Sequence, residues 1–198
     1  MRIGLLGGSF DPVHKAHLSL AHAAITALKL DQVQLIPAGQ PWQRAPLGAS
    51  PSHRLEMLRL ATRDINAFEV NPIEIHRIGP TYTIETLQAL EPAHEYFWIL
   101  GADQLTNFCT WHRWTDIVER VHLAVAQRPG STCVAPDALK HWLSIHHRKL
   151  LDIPFQPLDI SASAIRKRIA HKQSAQDLLP EVVEQYILEH GLYRPLKA

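Results

Sequence analysis

The chain has 198 residues, 46% of them hydrophobic and 20% charged, with a formal net charge of +1 and two cysteines, Cys109 and Cys133. That length builds a single domain, 1–198, with a substantial core, and the near-zero charge excludes bulk attraction to nucleic acid or a membrane surface. Two cysteines make no disulfide framework and suit a reducing cytoplasm, no stretch has the apolar length of a membrane span, and the opening apolar run is too short for a signal peptide.

The first apolar run, Arg2-Ile3-Gly4-Leu5-Leu6, reads as a buried strand over 3–6, and Gly7-Gly8 lets the backbone turn where a side chain would block a ligand. From about His14 onward Leu18, Leu20, Ala21, Ala24, Ile25 and Leu28 recur near helical spacing, which predicts a helix over 15–30. A strand, a glycine turn and a helix start form a phosphate site, because unpaired N–H groups and the helix dipole attract anions. Ser9 and Phe10 lie in that turn, and His14 and His17, three residues apart, share a face and aim two imidazoles at one charged group. A metal pair and a purely structural pair compete with that reading; no Glu or Cys nearby completes a ligand set, so no residue is assigned to a metal. The run lacks both the lysine of a P-loop and the three spaced glycines of the dinucleotide fingerprint, so it is another kind of phosphate-handling turn.

A strand over 33–37 leads into a long, nearly uncharged connection at 38–50, in which Arg44 is the sole charge and stands near Trp42. Connections of that length serve as lids or binding loops, and Arg44 reads as a phosphate ligand beside an aromatic wall, against a plain surface loop as the alternative. Next come a helix over 52–63 and a strand over 68–70. Thr81-Tyr82-Thr83 then open a helix over 84–90, a start whose free N–H groups suit a carboxylate. The strand at 96–100 ends in Gly101-Ala102-Asp103, where Asp103 accepts ribose hydroxyls or caps a helix. Trp111, in Cys109-Thr110-Trp111-His112-Arg113-Trp114, either packs in the core or stacks on a flat pyridinium cation. A helix over 115–121, a strand over 122–126, a helix over 137–146 and a weaker strand near 150–153 follow. The helix predicted over 162–170 opens with hydroxyls: Ser161 caps it, and Ser163 and Arg166 hold a polyphosphate tail or simply form a capped start with a basic face. Pro180 and Gly191 bracket a last helix over 181–190.

Strands alternating with helices predict a Rossmann-like, doubly wound parallel α/β sheet. With strand order 3-2-1-4-5, the turns at Gly7-Gly8-Ser9 and Gly101-Ala102-Asp103 face one crevice beyond neighbouring strand ends.

Ser9, Phe10, Asp11, Pro12, His14 and His17 resemble the (T/S)-F-D-P-x-H-x-G-H signature of the nucleotidyltransferase superfamily, with Ala16 where the pattern has Gly. Ile160, Ser161, Ile165 and Arg166 are similar to its I-S-S-T-x-I-R element, with Ala162 and Ser163 replacing a Ser and a Thr. Together with P-T-Y-T-I-E-T-L, G-A-D-Q-L-x-x-F-x-T-W, A-Q-R-P-G at 126–130 and the final G-L-Y-R, the chain resembles bacterial nicotinate-nucleotide adenylyltransferases from Ile3 to Arg194.

The resemblance implies a fold of nucleotidyltransferase type whose C-terminal helical part, from about residue 160, completes the ATP site. It implies cytoplasmic transfer of AMP from ATP to nicotinate mononucleotide in NAD biosynthesis, giving deamido-NAD and pyrophosphate, with Mg²⁺ bound through the ATP phosphates. His14 and His17 are then catalytic at the phosphates, and Gly7, Gly8, Ser9, Phe10, Arg44, Gly101, Asp103 and Ser163 bind ATP, with Ser161 and Arg166 at its tail. Thr81, Tyr82, Thr83, Trp111 and Arg128 take the nicotinate nucleotide. The expected partners are these two nucleotides, with no nucleic acid and no membrane, in a monomer or small homo-oligomer. Three other readings stay open: another acceptor such as nicotinamide mononucleotide or phosphopantetheine, a nucleotide-sensing domain without turnover, and a nucleic-acid module built on 166–168 and 146–149.

Overall fold

A computed structural model describes residues 1–39, 47–127 and 134–194; Trp42, Arg44, Arg128 and Cys133 lie outside the described residues. Strands β1 (Arg2–Gly8), β2 (Gln32–Pro37), β3 (Phe68–Val70), β4 (Glu95–Gly101), β5 (His122–Gln127) and β6 (Leu151–Pro154) hydrogen-bond in the order β3-β2-β1-β4-β5-β6. Between and after them come α1 (Lys15–Leu28), α2 (Pro51–Thr62), α3 (Thr83–Gln88), α4 (Ala102–Thr106), α5 (Trp114–Arg120), α6 (Asp137–Ile145), α7 (Ala162–Ala170) and α8 (Glu181–Glu189). This is the Rossmann-like parallel α/β fold expected, with the sixth strand at the β5 edge. The structure adds α4 and a 3₁₀ turn at Phe108–Thr110, each too short to show a helical period in the sequence. No described helix is long and apolar enough to cross a membrane.

The chain forms two compact units. The first comprises Met1–Leu6, Leu20–Gln34 and Thr81–Pro157. Within it β1 runs parallel to β4, from Arg2 opposite Glu95 to Leu5 opposite Trp98, and β4–β5 and β5–β6 are parallel too. Strands covered on both faces need continuous apolar runs rather than alternation, and Tyr96 through Leu100 are all buried. Gly4 is required by packing: a Cβ there would stand 2.7 Å from Leu30 Cδ1 and 2.9 Å from Val33 Cγ2. The polar groups at the start of these strands form one network. Arg2 and His122 both hold Glu95, at 3.0 and 3.1 Å, and Arg148 donates to the Val121 carbonyl.

The second unit comprises Gly7–Ser19, Leu35–Pro80 and Leu158–Ala198. Its core gathers Leu55, Met57 and Leu58 of α2, Ile165 and Ile169 of α7, and Val183 and Ile187 of α8. Pro51 opens α2 behind the Ser50 cap, whose Oγ accepts from the His53 N–H.

Candidate functional site

Beyond the end of β1 the backbone turns through Gly8 to Phe10, which adopts φ +46. A side-chain-bearing residue in that left-handed region costs on the order of 1–3 kcal/mol, and such outliers gather at functional turns. Here the bend puts the buried Phe10 ring edge-on to His17, centroids 4.9 Å apart, while a Cβ on Gly8 would come 3.2 Å from the same ring.

The helix begins at Lys15, one residue later than a shared helical face for the two histidines requires, so His14 stands as the residue before it. Its carbonyl accepts from the His17 N–H at 2.9 Å, and its own N–H donates to His17 Nδ1 at 3.2 Å. The imidazole thus takes the place that a Glu or Gln side chain fills in a capping box. Because Nδ1 accepts, the proton of the neutral His17 ring sits on Nε2, which becomes a donor. The rings stack with centroids 3.7 Å apart and planes 22° from parallel. Burial pulls His14 down to about 4 and His17 to about 3, with His14 adding to the second effect, so both rings are neutral near pH 7. The buried Nδ1 of His14 makes no hydrogen bond among the described residues. An orphaned polar atom of that kind is costly unless something else satisfies it.

Asp11 organises the surroundings. The residue is 1% exposed. Oδ1 accepts from the Ala49 N–H at 3.0 Å and the Tyr193 hydroxyl at 2.8 Å, and Oδ2 accepts from the Gly48 N–H at 2.7 Å. Arg166 Nη1 lies 3.7 Å from Oδ2 and donates to the Asp11 carbonyl at 2.7 Å. Burial first, then the Asp11 charge, keeps the Tyr193 hydroxyl protonated far above the ordinary tyrosine range, so it acts as a donor. Arg54, also 1% exposed, donates to the Ser9 carbonyl at 2.8 Å and the Gly39 carbonyl at 3.1 Å, bracing the turn from within. Burial lowers its pKa and the Asp11 charge opposes that. In α7, Ser161 accepts from the Ala164 N–H at 3.2 Å as the expected cap, and Ser163 Oγ lies 3.2 Å from Ser161 Oγ. In this unit, therefore, Ser9, Phe10, His14, His17 and Arg166 are linked through contacts around the turn.

Gly7 and Gly8 lie in the second unit too, and the first unit holds the expected residues from Thr81 to Trp111. Tyr82 is the extended residue before α3, and its ring meets His112 with centroids 4.7 Å apart, which joins the Thr81–Thr83 start to the segment carrying Trp111. Trp111 is half-buried, edge-on to Trp98 at 6.3 Å and tilted against Phe108 at 5.3 Å. At the end of β4 the cap is Gly101, whose N–H donates to Gln104 Oε1 at 3.0 Å. Asp103 is therefore not the helix cap; it is an exposed residue of the first turn, leaving its carboxylate open to a ligand.

Asp11, Arg54 and Tyr193 were not among the residues the sequence singled out for the site. Arg54 carried a signal: it falls at helical spacing with Leu58 and Ala61 on the buried stripe of α2, where a charge must find partners. Asp11 and Tyr193 stood inside matched strings, but 182 positions separate them and nothing local pairs them.

The cytidylyltransferase-like family profile matches residues 5–168. A Bordetella petrii protein named "Probable nicotinate-nucleotide adenylyltransferase" is 58% identical over 193 residues, spanning 98% of this chain and 99% of its own. One of the same name from Methylibium petroleiphilum is 41% identical over 98% of this chain and 93% of its own. Among solved structures, Plasmodium falciparum nicotinic acid mononucleotide adenylyltransferase complexed with NaAD superposes with a TM-score of 0.74 over 97% of each chain at 19% identity, a likeness of fold. With the phosphate-type turn, the paired imidazoles and relatives of this identity along nearly its whole length, the chain belongs to the nicotinate-nucleotide adenylyltransferase family within the cytidylyltransferase-like group.

Proposed function

We propose that the chain transfers the adenylyl group of ATP to nicotinate mononucleotide, releasing pyrophosphate and forming deamido-NAD. The observation that carries this reading is the His14–His17 pair: two stacked neutral rings, one with its donor fixed on Nε2, the other with an unsatisfied buried nitrogen, behind a strained turn. Such a pair is built to meet an anion that brings its own charge and acceptors.

In the proposed reaction an oxygen of the acceptor phosphate forms a bond to the α-phosphorus of ATP while the bond from that phosphorus to the α–β bridging oxygen breaks. The acceptor oxygen is already anionic, so no general base is required. The protein's part is in-line positioning and stabilisation of charge on the α-phosphate and the leaving pyrophosphate. His17 Nε2–H, the His14 ring and the backbone from Gly8 to Phe10 serve the transferring phosphoryl, and Arg166, Ser161 and Ser163 serve the tail. In the acceptor site, the N–H groups opening α3 at Thr81–Thr83 receive the nicotinate carboxylate and Trp111 covers the ring. Arg44 and Arg128 belong to the same reading. Mg²⁺ would be held mainly by the nucleotide's own phosphate oxygens: the groups assigned to the phosphates are nitrogen donors apart from the Ser161 and Ser163 hydroxyls, whereas Mg²⁺ takes oxygens and keeps several waters. When bound, it neutralises phosphate charge. Among the described residues no three of His, Cys, Asp and Glu gather into a metal cluster.

We further read residues 1–198 as a single nucleotidyltransferase domain, cytoplasmic, acting as a monomer or small homo-oligomer without nucleic acid. The test is pyrophosphate release by purified protein with ATP, Mg²⁺ and a panel of phosphorylated acceptors. Turnover is expected with nicotinate mononucleotide. Product from nicotinamide mononucleotide or phosphopantetheine alone overturns the acceptor assigned, and no turnover with any acceptor overturns the activity.

A further inference from the structure

Tyr193 has no place in the transfer just described, yet the structure builds it into the phosphate turn in two ways. Its hydroxyl supplies one of the donors to the buried Asp11 carboxylate, at 2.8 Å, and the other oxygen of that carboxylate faces Arg166 at 3.7 Å. Its ring shares a seat with the arginine stem. A Cβ on Gly48 would lie 2.9 Å from two ring carbons of Tyr193 and 3.1 Å from Arg166 Cδ, so ring and stem pack over the same bare backbone. Tyr193 also adopts φ +61, a conformation side-chain-bearing residues avoid unless their surroundings hold them there.

Arg166 is half-exposed and reaches out from this buried base with one nitrogen committed to the Asp11 carbonyl at 2.7 Å. A long side chain has many rotamers, and a guanidinium useful to a polyphosphate must be restricted to few of them. The Asp11 carboxylate supplies that restriction only if it cannot rotate. Its own donors, Gly48 N–H, Ala49 N–H and Tyr193 O–H, set its plane. Removing the hydroxyl takes one of the two donors from Oδ1 and frees both the carboxylate and the tyrosine beside the arginine stem.

We propose that Tyr193 is a positioning residue for ATP: through Asp11 and through its ring packed on Gly48, it holds the Arg166 guanidinium at the phosphate turn, so that the C-terminal segment helps set nucleotide affinity. The proposal rests on the proposed function in assigning Arg166 to the phosphate tail.

The test is a double-mutant cycle on the full chain with Tyr193→Phe, which keeps the ring and loses only the donor, and Arg166→Ala. Binding of α,β-methylene-ATP with Mg²⁺ is measured for wild type, both single variants and the pair, alongside steady-state kinetics and denaturation midpoints. Tyr193→Phe should weaken analogue binding about tenfold, as loss of a buried hydrogen bond to a charged group does, and leave the acceptor KM within about twofold. In the Arg166→Ala background the same change should weaken binding by less than about twofold. Wild-type affinity in Tyr193→Phe overturns the proposal, and so does an equal loss in both backgrounds, which marks a role in folding alone. A wild-type chain that binds the analogue but turns over no acceptor sinks the adenylyl-transfer reading while the cycle still decides Tyr193; a chain that does not bind the analogue sinks both.

Discussion

Acidification should destabilise this protein through His14 and His17. In the unfolded chain both rings titrate near 6.5, whereas burial holds the native rings at about 4 and about 3. Between those values the unfolded state binds protons that the native state refuses. Stability therefore rises with pH across this window, is fully present above about 6.5, and is lost as pH falls toward 4 and below. From pH 8 to pH 5 each fully shielded ring accounts for about 2 kcal/mol by proton linkage. His14 is 6% exposed and takes its full share; His17 is reached in part by solvent, so the pair contributes between about 2 and about 4 kcal/mol. Against a total stability of about 5–15 kcal/mol, that is a large loss. Urea denaturation at pH 8, 7, 6 and 5, on wild type and on a His14→Asn/His17→Asn double variant, isolates the effect because the other histidines cancel in the difference. The double variant should keep more of its stability at pH 5. Saturating pyrophosphate should shrink the gap, since an anion against the rings favours their charged form. Equal pH slopes in the two proteins would refute the claim that these rings are shielded and neutral.

Two further substitutions probe the same turn. His17→Ala should lower turnover on the order of 100-fold, as removal of other oxyanion donors does, with little change in the denaturation midpoint; near-normal kcat would remove the imidazole from the mechanism. Gly48→Ala places a methyl 2.9 Å from the Tyr193 ring and 3.1 Å from the Arg166 stem, so it should destabilise by about 1–3 kcal/mol and weaken ATP binding. Unchanged stability together with unchanged nucleotide affinity would show that the two side chains are not packed over this glycine.

Much of the fold was legible because its signals are local. The apolar runs at 96–100 and 122–126 became strands extended by one residue at most at each end, and the Ser161 cap formed as its sequence position implied. The 3-2-1-4-5 order taken for a doubly wound sheet also held for the first five strands. At Asp103 the fold rules out one of two local readings, the helix cap, and leaves the ribose ligand standing. An Asp after a strand looks like a cap, but the Gly101 N–H is taken by Gln104, so the helix starts two residues earlier. At His14 the three-residue spacing from His17 predicts a shared helical face, whereas the pair closes on itself across the helix start.

The amino-acid order alone settled where the backbone turns and which side chains stand at that turn, because glycine freedom, apolar period and helix-start chemistry act within a few residues. Only the folded chain decided protonation and partnership. A histidine's charge depends on how much water its neighbours exclude, and the partner of a buried carboxylate is whichever donor the fold brings within 3 Å. For Asp11 those donors come from Gly48, Ala49 and Tyr193, and no local rule in the sequence could have named them.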